Sequence, residues 1–425
     1  MFRCLAISIL LLISVQVYGQ SIEYARQIVN TLASDGFKGR GYVENGDSLA
    51  ADYISQEFEK FGLQSFEDDY YQTFETSVNT FPGIVSLQIN EKELKAGTDF
   101  LVHPGSPSLK GVFDIIKLTA EELLSDELFV NKLRVSSGHF ILINPYDKNK
   151  FSTEENERLD DVINFLKFHP QNPSKGTIIL TPDKLTWSGS TSKSPRPTLV
   201  INANTINDSF KFIELNIQSK FIERYQTQNV VGYLEGINRD STIVFMAHYD
   251  HLGKLGTKTT FNGANDNASG VAMLLNLASY YAENKPTYNL AFIAFGAEEL
   301  GLIGSRYFTE NPLFELSSIK FFLNFDLAGT GDEGIQVVNG SVYKSQFDSL
   351  STINERNDLL PQVKIRGAAC NSDHCMFDQK DVPGFYIYTL GGIKAYHDVY
   401  DRPETLPLTE FQDYFKLITD FVGQF

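Results

Sequence analysis

Apolar residues recur along this chain with three different spacings, and each spacing marks a region. Near the start they return every three to four positions. Residues 21–35 and 47–62 therefore read as amphipathic helices. The second carries Leu49, Tyr53, Ile54, Phe58 and Phe61 on one face, with Gly62 as a stop. Between them GFKGRGYVENGD reads as a glycine-rich connector. From about Pro82 to Ser219 the texture changes to short β-type runs divided by turn residues. These runs are GVFDIIKL at 111–118, HFILINP at 139–145, GTIIL at 176–180 and PTLVINA at 197–203. One helix interrupts them, from Ser152 to His169, opened by a Ser152/Glu155 capping box and striped by Leu159, Val162, Ile163 and Leu166.

From Asn229 onward strands and helices alternate. NVVGYL and STIVFMAH read as strands, and SGVAMLLNLASYYAEN as a helix capped by Ser269. NLAFIAFG, SIKFFLNFDL and VPGFYIYTL are nearly continuous apolar runs, as expected of strands buried on both faces. Residues 409–425 form a last amphipathic helix. The alternation predicts an α/β fold: a mixed, largely parallel sheet sandwiched by helices, with an inserted β-rich domain.

The first residues predict a targeting signal. Arg3 precedes an apolar run from Leu5 to Val15, and Val17-Tyr18-Gly19 resembles a cleavage site that leaves Gln20 as the new terminus. The run is shorter than the ~20 residues a membrane span needs, and no second run of that length follows. The expectation is an exported protein, secreted or periplasmic, with no membrane span. The net charge of −17 argues against nucleic acid and against an anionic membrane surface, both of which recruit Lys and Arg. Of the three cysteines only Cys370 and Cys375 follow the signal. Either they close a small disulfide loop in an oxidising compartment or they remain thiols.

The candidate chemistry lies where the predicted strands end. AHYDHLG places His248 and Asp250 two positions apart on an extended chain, hence on one side of it. A metal-bound imidazole commonly has a carboxylate to orient it, which Asp250 supplies; His251 points the other way and reads as structural. Asp266 follows in a Gly/Asn-rich loop. Glu298 and Glu299 come directly after an apolar strand, so both reach one site only from the loop beyond its end. Asp326 ends another strand, and His397 sits in a turn-rich loop before the last helix. Each alone has an ordinary reading as a cap, a turn or a solvated acid. Together, two histidines and three carboxylates at successive strand ends converge on the edge where open α/β sheets bind ligands. Imidazole mixed with carboxylate suits zinc, and five ligands with one bridging carboxylate serve two ions.

AHYDHLG, GANDNASGVAMLL, FGAEELGLIGS, NFDLAG and YHDVYDRPETL, in this order, resemble the secreted zinc-dependent aminopeptidase family that also includes glutamate carboxypeptidases and glutaminyl cyclases. The likeness runs over roughly 229–425 and again over 21–65. It implies His248 and Asp326 on one zinc ion, Glu299 and His397 on the other, and Asp266 bridging both. It further implies Asp250 as the outer partner of His248, Glu298 as general base to a metal-bridging hydroxide, and a cis peptide after Asp266. Asp373 and His374, in SDHCMF, match a segment near the substrate pocket of relatives, without the tyrosine that would precede them as an oxyanion donor. The implied organisation is a signal peptide over 1–19, the start of the peptidase domain over 20–81, a protease-associated-like insert over 82–219, and the rest of the catalytic domain over 220–425. The implied function is a two-zinc exopeptidase acting on peptides, foremost an aminopeptidase. A glutamate carboxypeptidase-like enzyme, a glutaminyl cyclase and a catalytically silent binding protein of the same fold remain as alternatives.

Overall fold

The apolar runs after Asn229 form the inner strands of one eight-stranded sheet. Its order is Tyr71–Thr80, Lys220–Leu234, Tyr288–Phe295, Asn238–His248, Ile319–Phe325, Gly384–Thr389, Ile335–Val338 and Val363–Ile365. The four strands from Tyr288–Phe295 to Gly384–Thr389 run parallel, and antiparallel pairs flank them. This computed structural model describes residues 22–206 and 210–425, so the expected signal segment lies outside the described residues.

Alternation along Asn238–His248 shows why both faces are covered. Ile243, Phe245 and Ala247 point into the larger core, with the helices Ile22–Leu32, Gly46–Lys60, Gly270–Glu283, Lys344–Asn357 and Phe411–Val422. Val244 and Met246 point to the other face, where Phe308 and Phe377 come from the helices Ile303–Glu310 and His374–Asp378. The expected α/β architecture is thus the observed one. Among the described residues, no helix is long and apolar enough to cross a membrane. Cys370 and Cys375 form a disulfide.

Two local expectations are corrected. In Gly46–Lys60 the buried residues include Ala50, Ala51, Ile54 and Phe58, while Leu49 is 40% exposed. The helix packs on Lys220–Leu234, with Ala50 and Ala51 on its buried side and Leu49 outside it. Ser269 does not cap its helix. Its backbone is already helical, because a π-helical turn over Ala264–Ser269 precedes it, and its hydroxyl donates to the Asn265 carbonyl. The side chain that accepts the Gly270 amide is Asn267.

Between Thr80 and Lys220 the chain leaves this sheet and builds a second one. Its order is Lys92–Leu94, Val85–Ile89, Phe212–Ile217, Leu109–Leu118, Phe140–Ile143, Gly176–Thr181, Thr198–Asn202 and Phe100–Val102. Its helices are Ala120–Leu124, Asp126–Arg134 and Thr153–Phe168, the last opened by the Ser152/Glu155 box. The two sheets are distinct, but their packing is not. Phe81, Leu252, Leu255, Phe261 and Val399 share one apolar cluster with Phe100, Leu199 and Trp187 of the second unit.

Asp47 ties the helix Gly46–Lys60 to the first sheet. Its carboxylate accepts hydrogen bonds from the hydroxyls of Tyr225 (2.6 Å) and Thr227 (2.9 Å) and is fully buried. Burial pushes its carboxyl up to about 6, with those two hydroxyls working against the shift. The folded state therefore holds this proton more tightly than the unfolded chain does. Asp47 should subtract stability as pH rises from about 4 to about 6, by up to roughly 3 kcal/mol, with no further change above. Denaturant midpoints measured across pH 3.5–8 should show a shallower fall in Asp47→Asn than in the wild type.

Candidate metal centre

Backbone features aim the chemistry-bearing side chains, some at strand ends and some in the loops beyond them. His248 is the last residue of Asn238–His248, and Asp326 follows Ile319–Phe325 directly. Glu298 and Glu299 come after Tyr288–Phe295, beyond a turn at Gly296 and Ala297, where Ala297 has φ of +56°. Leu327 (+64°) and His397 (+52°) are also in the left-handed region that side chains rarely adopt. Asp266 lies in the π-helical turn, and the Asp266–Asn267 peptide is cis.

These turns bring the acids and imidazoles to one place. The His248 Nε2 atom lies 3.4 Å from Asp266 Oδ1 and 3.4 Å from Asp326 Oδ1. The His397 Nε2 atom lies 3.2 Å from Asp266 Oδ2 and 3.1 Å from Glu299 Oε2. The two oxygens of Asp266 thus face two different histidines. One ligating atom from each of His248, Glu298 and Asp326 falls within a 4.8 Å cluster, and so does one from each of His251, Asp266 and Glu299. Two donors each about 2.0–2.1 Å from one tetrahedral zinc ion lie roughly 3.3–3.4 Å apart, so these spacings fit that metal on either side of Asp266. Asp266 Oδ2 is buried without a hydrogen-bond partner, as a ligand oxygen would be.

Electrostatics separates the two adjacent glutamates. Burial holds Glu298 well above the usual carboxyl range; the His248 charge opposes this, and Glu299, Asp373 and Asp326 add to it. Burial and Asp266 push the Glu299 carboxyl up, but the His397 and His251 imidazoles outweigh them and bring it down to about 2. His397 is raised to about 11 against the cost of burial, chiefly by Glu299 and Asp266.

Several supports differ from the sequence-based expectation. Asp250 serves His248 through its main chain: His248 Nδ1 donates to the Asp250 carbonyl at 3.2 Å, which leaves Nε2 for a ligand. The Asp250 carboxylate is 3.8 Å from that ring. It instead accepts from the amides of Glu298 (3.0 Å) and Glu299 (3.3 Å) and from the Tyr42 hydroxyl (2.8 Å). His251, set aside from the sequence, bonds through Nδ1 to Glu299 Oε1 at 2.7 Å. Asp373 and His374 are both buried. Burial and neighbouring acids push Asp373 up to about 7, against the His248 charge. His374 turns away, donating through Nε2 to the Ala369 carbonyl and stacking on Tyr386.

The residue that sequence reasoning missed most completely is Arg40, inside the supposed connector. It is fully buried. Its five N–H groups meet the carbonyls of Tyr249 (2.8 Å), Leu32 (3.0 Å), Asn262 (2.7 Å), Gly263 (2.7 Å) and Asp266 (3.1 Å). Burial lowers its pKa to about 10, and Asp266, Asp401, Asp250 and Glu299 favour its charge. The flanking glycines are the available signal. A Cβ on Gly39 would lie 2.3 Å from the Phe261 carbonyl oxygen, and one on Gly41 2.5 Å from Gly253 Cα. Asp401, also missed, accepts the amides of Asn265 (2.8 Å) and Asp266 (2.9 Å). Asn267 joins two strand-end loops, donating to the Phe325 carbonyl and accepting the Leu327 amide. Ser372 donates to Asp326 Oδ2 at 2.9 Å.

Arg40→Leu should cost on the order of 3–5 kcal/mol, since it strips a buried charge from beneath the acids and leaves its carbonyls unpaired. Arg40→Lys should recover only part, having three donors for five acceptors. Urea unfolding of the three proteins measures both.

Comparison with known proteins bears on this centre. Residues 229–422 match the model of peptidase family M28. Leupeptin-inactivating enzyme 1 of Streptomyces exfoliatus is 32% identical over 163 residues, which are 36% of this chain and 34% of that protein. Aminopeptidase YwaD of Bacillus subtilis is 32% identical over 200 residues, 45% of this chain and 40% of that protein. The matched stretch therefore spans well under half the length of either relative. In structure, a zinc aminopeptidase from Bacillus subtilis superposes with a TM-score of 0.66 at 20% identity, covering 95% of this chain and 94% of its own. An M28 peptidase precursor from Shewanella amazonensis reaches 0.70 at 16% identity, covering 96% and 94%. At these identities the structural likeness is one of fold.

Proposed function

We propose that the chain, whose residues 229–422 match the model of peptidase family M28, is a two-zinc metallo-exopeptidase, an aminopeptidase that releases N-terminal residues from peptides. The observation that carries the reading is the division of Asp266, with Oδ1 turned to His248 and Oδ2 to His397. His248 and Asp326 would hold one ion, Glu299 and His397 the other, and Asp266 both. Bound there, zinc would supply Lewis-acid polarisation of a peptide carbonyl and a water acidified towards neutral pH.

The remaining steps fall to the chain's own groups. Glu298 takes the proton of the attacking water and returns it to the leaving amine, the two halves of general acid–base catalysis. Asp250 positions both glutamates by holding their amides, and its carbonyl sets the His248 ring. Asp373, whose charge acts on Glu298, would line the substrate site, with His374 behind it turned to the Ala369 carbonyl. Arg40 has no donor left for a substrate carboxylate, since all five face main-chain carbonyls. The stretch 82–219 is proposed as a protease-associated-like insert. Residues 1–19 are proposed as a signal peptide that sends the protein out of the cytoplasm, to the periplasm or beyond.

Two adjacent substitutions test the roles. Glu298→Gln should keep both metals and lower turnover by about 10²-fold or more, because an amide cannot accept the proton. Glu299→Gln should weaken one metal and regain part of its activity with added zinc. Metal content measured beside turnover decides the matter; loss of zinc from Glu298→Gln with retention in Glu299→Gln reverses the assignment. Peptides with a free amino terminus should lose their first residue, and N-acetylated versions should stay intact by mass spectrometry.

A further inference from the structure

We propose that Lys184 and Trp187, both in the second unit, are positioning residues for His397 and thereby for one of the two metal positions. The proposal rests on the assignment of His397 and Glu299 to that position. His397 has a left-handed backbone without being glycine. Such a conformation persists only where its surroundings over-determine it. The surroundings here come across the boundary between the two sheets. The Trp187 amide donates to the His397 carbonyl at 2.9 Å. The Lys184 ammonium meets three acceptors on the same loop: the carbonyls of Lys394 (2.7 Å) and Tyr396 (3.2 Å), and Asp398 Oδ2 (2.5 Å). An ammonium has three donors, so this one is saturated by the residues around His397. The Asp398 side chain is only 2% exposed, and it also accepts the Tyr400 amide at 2.8 Å.

Trp187 is itself firmly held. Its indole N–H donates to the Val102 carbonyl at 2.7 Å, and its ring stacks on Phe261 with centroids 4.9 Å apart. Val399, two residues after His397, packs in the same apolar cluster. A few residues on, Gly189 passes so close to Glu299 that a Cβ there would lie 2.9 Å from the Glu299 carbonyl oxygen. One segment of the second unit thus touches both residues assigned to one ion. Supports of the other ion come from loops of the first unit: the Asp250 carbonyl holds His248, and Ser372 holds Asp326. The two positions are supported asymmetrically, and this makes the proposal testable one ion at a time.

The test uses the full-length, zinc-loaded protein, with the affinity of each ion measured by chelator competition beside peptide turnover and thermal melting. Lys184→Met should leave one ion at wild-type affinity and weaken the other about 10- to 100-fold, the effect expected when a ligand's outer partner is lost. Lys184→Arg should restore most of that affinity. Asp398→Asn, nearly isosteric, should reproduce the pattern and stands in if Lys184→Met does not fold. His397→Ala is the reference and should abolish binding of the same ion. If Lys184→Met and Asp398→Asn keep both affinities, or weaken both ions equally alongside a lowered melting temperature, the positioning role is overturned while the site assignment stands. If His397→Ala keeps both ions, the site assignment falls, and this proposal with it.

Discussion

The constraint on which the rest of the structure depends is the gathering of negative charge. Asp250, Asp266 and Asp326 are buried together at one sheet edge, with Glu298 and Glu299 beside them and Asp373 and Asp401 close by. Like charges in a low-dielectric interior repel strongly unless protonated, hydrogen-bonded or matched by a cation. Every unusual feature nearby answers one of those needs. Arg40 puts a fixed positive charge beneath the loop of Asp266 and satisfies five of its surrounding carbonyls. Asp250 spends its charge on two amides and a phenol, and Asp401 on two further amides. The imidazoles of His248, His251 and His397 stand among the rest.

Geometry then follows from how a sheet ends. Parallel strands deliver their last residues to one edge, but a strand alternates its side chains. Two consecutive acids cannot serve one site from within it. The left-handed turn at Ala297 resolves this by releasing Glu298 and Glu299 from the alternation. Leu327 does the same directly after Asp326. The strain at these positions is carried by the hydrogen bonds of Asn267 and Asp250, so the precision of the centre is a property of its loops' partners as much as of its ligands.

Much of this was legible in the sequence. Continuous apolar runs such as NLAFIAFG can be little else than doubly buried strands, and the acids and histidines stood out because they closed those runs. The supports were harder to read for a physical reason. Arg40 and Asp401 act on main-chain groups, and a main-chain group leaves no letter in the sequence. Trp187 looks like an ordinary core aromatic, and its amide, which does the work at His397, is common to every residue but proline. Leu49 misled because burial in Gly46–Lys60 follows the small side chains of Ala50 and Ala51. His251 misled because its neighbour's alternation rule stops applying once the strand has ended at His248.

The join between the two units has a consequence of its own. The chain leaves the first sheet at Thr80 and re-enters it at Lys220, and these two residues are paired opposite one another in an antiparallel ladder. The second unit therefore occupies the place of a hairpin turn, and the registers of the first sheet do not depend on what lies between. Such a junction lets evolution exchange or discard the intervening unit without re-registering a single strand. The His397 loop does not share that freedom, because its carbonyl and its neighbouring carboxylate are paired with Trp187 and Lys184. A lineage that replaced the unit would inherit an intact sheet and an unsupported histidine, and would have to rebuild that support from within its own loop.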